Sequence, residues 1–169
     1  LIDLNIENFN TSKLTNMYGM FAGLNLANLD LTNFDTSNVT DMGKLFEGSN
    51  FKEINMGKFV TSKVTNFSSM FNNCYNLERI IFSYNNNFDL QNAKNMDAMF
   101  SNCNNLSGKF EFKNIPTTIP TYSGIFNRTA VNGNTKVSLL SNKKNVEFLN
   151  KIITEKDDDC NVIITSKAC

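Results

Sequence analysis

The stretch FDTSNVTDM at residues 34–42 decides the fold, because closely related copies recur along the chain. It appears earlier as FNTSKLTNM (residues 9–17), later as FVTSKVTNF (59–67), and in degenerate form as FDLQNAKNM (88–96). A hydrophobic pair follows each copy. The pairs are Met20-Phe21, Leu45-Phe46, Met70-Phe71, Met99-Phe100 and, in a last weak repeat, Ile125-Phe126. Self-similarity at a period of about 25 residues predicts stacked units that form a solenoid.

Each unit contains a strand-like segment. LDLT at residues 29–32 alternates apolar and polar side chains, as do INMG at 54–57 and FEFK at 110–113, and such alternation predicts strands. LNIE at residues 4–7 has the same form. We therefore expect the chain to open on a strand, partway through a repeat, and to be an excised piece of a longer protein.

Each unit also contains a helix-like segment. Val39, Met42, Leu45 and Phe46 have the spacing of the apolar stripe of a short amphipathic helix. Thr40, like Thr15 and Thr65 in the neighbouring copies, is placed where an N-cap hydroxyl would begin that helix. The sequence therefore predicts an α/β fold: a right-handed solenoid of leucine-rich-repeat type, with about five strand–turn–short-helix coils.

The repeat pattern fades after about Val137. Residues 145–153 place Val146, Leu149, Ile152 and Ile153 on one face of a predicted helix, and residues 161–165 read as a strand. The end coil of a repeat array would otherwise expose its core. We expect a solenoid over residues 1–137 and a C-terminal capping helix and strand over residues 138–169. An independent C-terminal module is the alternative interpretation.

Composition excludes several classes of function. Sixteen basic and sixteen acidic side chains cancel, so no strong field favours nucleic acid as a partner. The chain has no histidine, which excludes a Ser-His-Asp triad and a histidine-ligated metal within it. No apolar run approaches the roughly 20 residues that span a bilayer. We predict no enzyme activity, no cofactor and no membrane insertion within these residues.

The repeat resembles that of the BspA-like surface proteins, a domain of unknown function that is abundant in mycoplasmas and other bacteria. The family unit is close to LDLSNFDTSNVTDMSGMF-GCSSL, and residues 29–46 match it nearly throughout. Cys74 and Cys103 match its cysteine, where Leu24 and Ser49 depart from it. The resemblance covers roughly residues 1–126. It implies a leucine-rich-repeat-like solenoid on a bacterial or protist surface protein, often adhesive, and it gives no catalytic residues to transfer.

The outward strand positions are predicted to stack into two columns. The first contains Asn5, Asp30, Asn55, Ile81 and Glu111, and the second contains Glu7, Thr32, Gly57, Ser83 and Lys113. Two interpretations stay open, a solvated sheet face and a concave binding surface of the kind that solenoids offer to ligands. As binding candidates we take Asn5, Glu7, Asp30, Thr32, Asn55, Ser83, Glu111 and Lys113.

Cysteine and aspartate clusters suggest structural roles. Cys74 and Cys103 are expected to be buried one coil apart, either as free thiols or as a disulfide between coils. Cys160 and Cys169 are close in sequence, and a disulfide between them is predicted to hold the terminal strand. Asp157 to Asp159 lack the alternating ligands and glycine of a calcium loop, so we expect a solvated turn and no metal site.

Three functions remain in competition. The first is an extracellular or cell-surface binding module of adhesin type that recognises a host protein, a matrix component or a glycan. The second is a structural spacer that presents another domain and has no ligand of its own. The third is self-association, through an uncapped Leu1 end or through edge contacts between coils.

Overall fold

The computed structural model describes residues 4, 6, 8–82 and 87–166. These residues form seven strands and one helix. The elements are β1 (Asn28–Asp30), β2 (Glu53–Gly57), β3 (Arg79–Phe82), β4 (Asn87–Asp89), β5 (Gly108–Lys113), β6 (Val137–Ser141), α1 (Val146–Ile153) and β7 (Val162–Ser166). No helix of this described part is long and apolar enough to cross a membrane.

The strands form two sheets in which every pair is parallel. β1, β2 and β3 make the first sheet, and β4, β5, β6 and β7 make the second. Parallel neighbours need a crossover connection, and here each crossover is the rest of one repeat. The molecule is a β-solenoid of about five turns, and the prediction of a repeat solenoid is confirmed.

The side of each coil opposite the strands is called the turn side: residues 16–24 and their equivalents 41–49, 66–74, 95–103 and 121–129. Single parallel bridges join Asn16, Asp41, Asn66, Asn95 and Thr121 in succession. The N–H groups of Met17, Gly19 and Phe21 donate across to the next coil, to the carbonyls of Asp41, Gly43 and Leu45, at 2.8–2.9 Å. Backbone pairing therefore links the coils on both sides.

The predicted short helices are not found on the turn side, where the described residues form consecutive turns. The physical reason is that each coil contains two residues with a left-handed backbone conformation, and each of them ends a run of helical hydrogen bonds. The first position has φ of 61, 57, 54, 53 and 62° at Gly19, Lys44, Ser69, Ala98 and Gly124. The second has φ of 67, 67, 61, 60 and 53° at Gly23, Gly48, Asn73, Asn102 and Arg128.

The predicted N-cap threonines also have a different role. The Thr40 hydroxyl donates to the Thr15 carbonyl at 3.2 Å, and the Thr65 hydroxyl donates to the Thr40 carbonyl at 3.1 Å. These bonds run between coils rather than into a helix. The threonines therefore tie neighbouring coils together at one corner of the solenoid.

The apolar pattern predicted the core correctly even though the helices were wrong. Val39, Met42, Leu45 and Phe46 are all fully buried. At the centre the rings of Phe21, Phe46, Phe71, Phe100 and Phe126 stack in line, with centroid separations of 5.9, 5.2, 5.3 and 5.6 Å. One aromatic side chain per coil thus forms a continuous ladder along the solenoid axis.

The C-terminal helix and strand lie where the sequence predicted them, as α1 and β7. Phe148, Leu149 and Ile152 bury one face of α1 against the core. β6 pairs with β5 on one side and with β7 on the other. Residues after 137 therefore continue the second sheet, and α1 stands at the C-terminal end where the earlier coils have their turn side.

Candidate functional site

The first predicted column lies in register through three coils. Asp30 pairs with Asn55, and Asn55 pairs with Ile81. One step along the same strands, Asn28 pairs with Glu53, and Glu53 pairs with Arg79. These six outward-facing residues, Asn28, Asp30, Glu53, Asn55, Arg79 and Ile81, are called the strand-face patch.

The column does not continue into the fourth coil as predicted. β5 pairs with β4, so Glu111 and Lys113 lie beside Asn87 and Asp89 in the second sheet. The interval from Phe71 to Phe100 is 29 residues, four more than the 25 from Phe46 to Phe71, and it contains both β3 and β4. The structure therefore does not bring Glu111 and Lys113 together with Asp30 and Asn55. Asn5, Glu7 and Ser83 lie outside the described residues.

Glu111 was predicted to face solvent, and this prediction is wrong, since its exposed fraction is only 3%. Its Oε2 lies 3.7 Å from the Lys113 ammonium, and its Oε1 accepts a bond from the Asn142 amide at 3.4 Å. The loop from β6 to α1 covers this part of the sheet, and the loop's Asn145 is itself buried. Burial makes Glu111 a structural carboxylate that joins β5 to this loop.

Two of the predicted binding residues also serve the backbone. The Asp30 carboxylate accepts the N–H of Thr32 at 2.9 Å, and the Asn55 carbonyl oxygen accepts the N–H of Gly57 at 3.1 Å. Asn and Asp commonly close such turns at the end of a strand. Asp30 is exposed and Asn55 is half-buried, so both side chains still reach the surface of the patch.

Sequence reasoning missed the ion pair of the patch. The Arg79 Nε donates to the Glu53 carboxylate at 3.0 Å, and a second bond joins its Nη2 to the same oxygen. The Arg79 side chain is 69% exposed. Beside it on the same face of β3, Ile81 is 37% exposed. Glu53 and Arg79 are 26 positions apart, so an alignment of the copies by Phe46 and Phe71, which are 25 apart, pairs Glu53 with Glu78 and misses the ion pair.

A ladder of hydrogen-bond donors follows the ring ladder through the core. A hydroxyl or thiol of one coil donates to the phenylalanine carbonyl of the preceding coil. The pairs are Ser49–Phe21, Cys74–Phe46, Cys103–Phe71, Thr129–Phe100 and Cys160–Phe126, at 2.6, 3.1, 3.1, 2.7 and 3.2 Å. Ser49, which departs from the cysteine of the repeat, thus makes the same bond as the cysteines. The signal in the sequence is a small donor three residues after Phe46, Phe71, Phe100 and Phe126, and Cys160 is the one donor without this spacing.

The thiols of this ladder are poor nucleophiles. Cys74 and Cys103 are buried and free, so the disulfide between coils is not formed. Burial raises the pKa of Cys74 to about 12 and that of Cys103 well above its usual range. Burial also raises the pKa of Cys160, whose sulfur accepts the Thr129 N–H. Its predicted disulfide partner, Cys169, lies outside the described residues, so that disulfide stays a prediction.

Asp157, Asp159 and Cys160 place ligand atoms within 4.8 Å of one another. These groups already have structural roles. The Asp157 carboxylate accepts the Arg128 N–H at 2.9 Å, and the Cys160 thiol donates to Phe126. Asp158 and Asp159 form an exposed turn, as the sequence predicted. In the earlier coils the equivalent N–H donates to a backbone carbonyl of the next coil. The Asp157 carboxylate takes the place of that carbonyl for Arg128.

Comparison with known proteins identifies a family through the repeats. No curated protein and no solved structure gives a match to this chain. A family model matches residues 2–115, which is 114 of the 169 residues and includes β1 to β5. The chain therefore belongs to the family described as Mycoplasma protein of unknown function, DUF285.

Proposed function

We propose that this chain is an extracellular, cell-surface binding module of adhesin type that recognises another protein through the strand-face patch. The observation that supports this proposal most directly is the exposure of Ile81 beside Arg79 on the outer face of the first parallel sheet. Protein interfaces combine an apolar centre with a polar rim, and arginine is enriched at their energetic hot spots.

The polar groups around Ile81 fit a protein partner. Arg79 has five N–H donors, and its bonds to Glu53 use only two of them. Asp30 offers a second carboxylate oxygen once its Oδ1 has accepted the Thr32 N–H. Asp30 and Glu53 against Arg79 leave the patch with a net charge of −1. We propose a host or cell-surface protein, or a glycan, with donors for these carboxylates, and no nucleic acid.

The finer structural assignment is also part of this proposal. We propose that the solenoid is right-handed and related to the leucine-rich-repeat and BspA-like proteins. Parallel pairing of strands from successive coils and the line of stacked, buried phenylalanines support that relation. We further propose that the chain is not an enzyme, and the buried, hydrogen-bonded thiols support this view.

The experiment is binding of the purified chain to epithelial cells and to immobilised matrix proteins. An Ile81→Ser, Arg79→Gln double variant should lose saturable binding while its melting temperature changes little, because neither change buries a charge or sets like charges together. Lys94→Glu is the matched control, since Lys94 is also exposed and directly precedes the turn side of its coil. Glu111→Lys is unsuitable as a probe, because it would bury a lysine beside Lys113.

Equal binding by the wild-type chain and the double variant would exclude the strand-face patch as the site. Loss of binding in the Lys94 control would instead place the site on the turn side. Absence of binding by the folded wild-type chain to every surface tested would remove the adhesin proposal for these residues.

A spacer function is the second candidate, and the amide ladder on the surface favours it. The amide of Asn50 donates to Asn25, and that of Asn76 donates to Asn50. Further along, the Asn132 amide donates to Asn105. These hydrogen bonds between coils stiffen the solenoid. They also use part of the hydrogen-bonding capacity of the asparagine side chains. A spacer would tolerate the double variant fully, and its function would depend on the number of coils.

A further inference from the structure

Asparagine side chains line one corner of the solenoid, where the turn side leads into the strands. One asparagine of each coil lies there: Asn25, Asn50, Asn76, Asn105 and Asn132. The Asn50 amide donates to Asn25 and the Asn132 amide donates to Asn105, both at 2.9 Å, and the Asn76 amide donates to Asn50. Each of these bonds uses one of the two N–H groups that an amide has. The corner therefore keeps further N–H groups for a ligand, repeated at the spacing of adjacent strands, about 4.8 Å.

The Tyr75 ring stands beside these amides. Its side chain is 54% exposed, and its hydroxyl donates to the Asn73 Oδ1 at 3.1 Å. The Tyr75 carbonyl accepts the Asn105 amide of the next coil at 2.7 Å. Hydrogen bonds at the hydroxyl and at the backbone thus fix the position of a ring that solvent still reaches.

Asn104 occupies the position of Tyr75 in the next coil, since each of the two residues directly follows the buried cysteine of its coil. The Asn104 side chain is half-buried, and its Oδ1 is buried without a hydrogen-bond partner within the described part of the chain. Buried polar atoms in folded proteins usually have a partner. Rotation of this amide toward the surface would let a ligand hydroxyl complete its hydrogen bonds, directly beside the Tyr75 ring.

The chemistry of this corner fits an uncharged, hydroxyl-rich ligand. We call its residues the amide corner: Asn50, Tyr75, Asn76, Asn104, Asn105 and Asn132. None of them has a charge, whereas a nucleic-acid site needs cations for the phosphates. One tyrosine ring is also too little for the apolar centre of a protein interface. A pyranose sugar has hydroxyls around its rim and C–H groups on its faces, so its rim can bond to amides while one face packs on the electron-rich face of an aromatic ring.

We propose that the amide corner binds a linear, uncharged glycan of β-linked pyranose residues that lies along the solenoid axis. One sugar packs on Tyr75, and its neighbours exchange hydrogen bonds with Asn76, Asn104 and Asn105. One amide per coil, at about 4.8 Å, is close to the length of one sugar in an extended β-linked chain, so successive sugars meet successive coils. The site shares no residue with the strand-face patch and does not depend on it.

The test is isothermal titration of the purified chain with cellohexaose and with chitohexaose, two uncharged β-linked hexasaccharides. Saturable binding of at least one of them is expected. Tyr75→Ala should weaken that binding roughly tenfold, because it removes the stacking ring. Tyr75→Phe keeps the ring and should retain most of the affinity. Asn104→Ala should weaken binding by about three- to tenfold, as expected for the loss of one hydrogen bond.

Tyr18→Ala is the matched control, since Tyr18 is 51% exposed and lies in the first coil. The affinity of this control for the hexasaccharide should equal that of the wild-type chain. The Ile81→Ser, Arg79→Gln variant of the strand-face patch should also bind the hexasaccharide normally. The melting temperature of each variant shows that it is folded at the temperature of the titration.

Four results would overturn the proposal. The first is that the folded wild-type chain binds neither hexasaccharide. The second is equal affinity of the wild-type chain and Tyr75→Ala, and the third is an equal loss in Tyr75→Ala and Tyr18→Ala. The fourth is a loss of binding in the strand-face variant that Tyr75→Ala does not share, which would assign the glycan to the strand-face patch.

Discussion

The turn side and the strand side of this solenoid differ in regularity. On the turn side the bridges, the left-handed residues, the stacked rings and the donor ladder repeat in five successive coils. On the strand side the pairing changes register between Asn55 and Gly57, and the strands divide into two sheets after Phe82. The turn side is therefore the constant scaffold, and the strand side is where the surface varies.

The comparison predicts that the largest stability losses come from the core of the turn side. Phe71→Ala removes a ring that stacks on both Phe46 and Phe100 and leaves a cavity between coils. We expect the free energy of unfolding to fall by about 3–5 kcal/mol, measured by denaturant titration. Tyr75→Ala, an exposed change in the same coil, should cost far less. Equal losses of stability for Phe71→Ala and Tyr75→Ala would show that the stacked rings are not what stabilises the solenoid.

A smaller loss is expected where the strand side departs from the repeat. Gly57 has φ +52°, and a Cβ there would lie 2.5 Å from the Thr32 Cα. Gly57→Ala should therefore cost about 2–3 kcal/mol, from left-handed strain together with the backbone clash. Gly48→Ala is the matched control on the turn side, with φ +67° and no atom within 4 Å of the added Cβ. Gly48→Ala should cost only about 1–2 kcal/mol. A larger loss of stability for Gly48→Ala than for Gly57→Ala would show that the close approach of Gly57 to Thr32 does not fix the register change.

The donor ladder should give the smallest of the three effects. Cys74→Val leaves the Phe46 carbonyl without its donor in the core, at a cost of about 1–2 kcal/mol. Cys74→Ser should retain most of the stability, because Ser49 makes the same bond one coil earlier. Thermal unfolding of the two variants measures the difference in stability. A valine variant as stable as the serine variant would show that the hydrogen bonds of the donor ladder do not stabilise the fold.

The same thiol predicts a dependence on alkaline pH. Burial raises the folded pKa of Cys74 from the usual 9.0 to about 12. Above pH 9 the unfolded thiol loses its proton while the folded thiol keeps it, so the stability due to this group is lost as the pH rises through that window. Cys74→Ser should make the free energy of unfolding less dependent on pH between 9 and 12. An unchanged slope would show that the thiol ionises equally well in the folded state.

The sequence by itself determined the solenoid, its register through the first three coils and the apolar core of the turn side. Phenylalanines at a constant interval can be buried only if successive coils stack, so Phe21, Phe46 and Phe71 fix the architecture without further information. The helix and strand after residue 137 also agree with the prediction from an apolar face at helical spacing and a β-branched run. The signals were local, or exactly repeated.

Only the tertiary structure decided what the turn side is and where the candidate site lies. Spacings of three and four residues suit a helix, and they equally suit consecutive turns whose N–H groups bond to the next coil. Residues such as Ala98 adopt a left-handed φ because the hydrogen bonds to the next coil offset the cost of that backbone conformation. Likewise, no pattern around Glu111 shows that the loop at Asn142 covers it. Burial and pairing between residues about 30 positions apart depend on how the coils meet, so the exposed Ile81 and Arg79 could be separated from the buried Glu111 only in three dimensions.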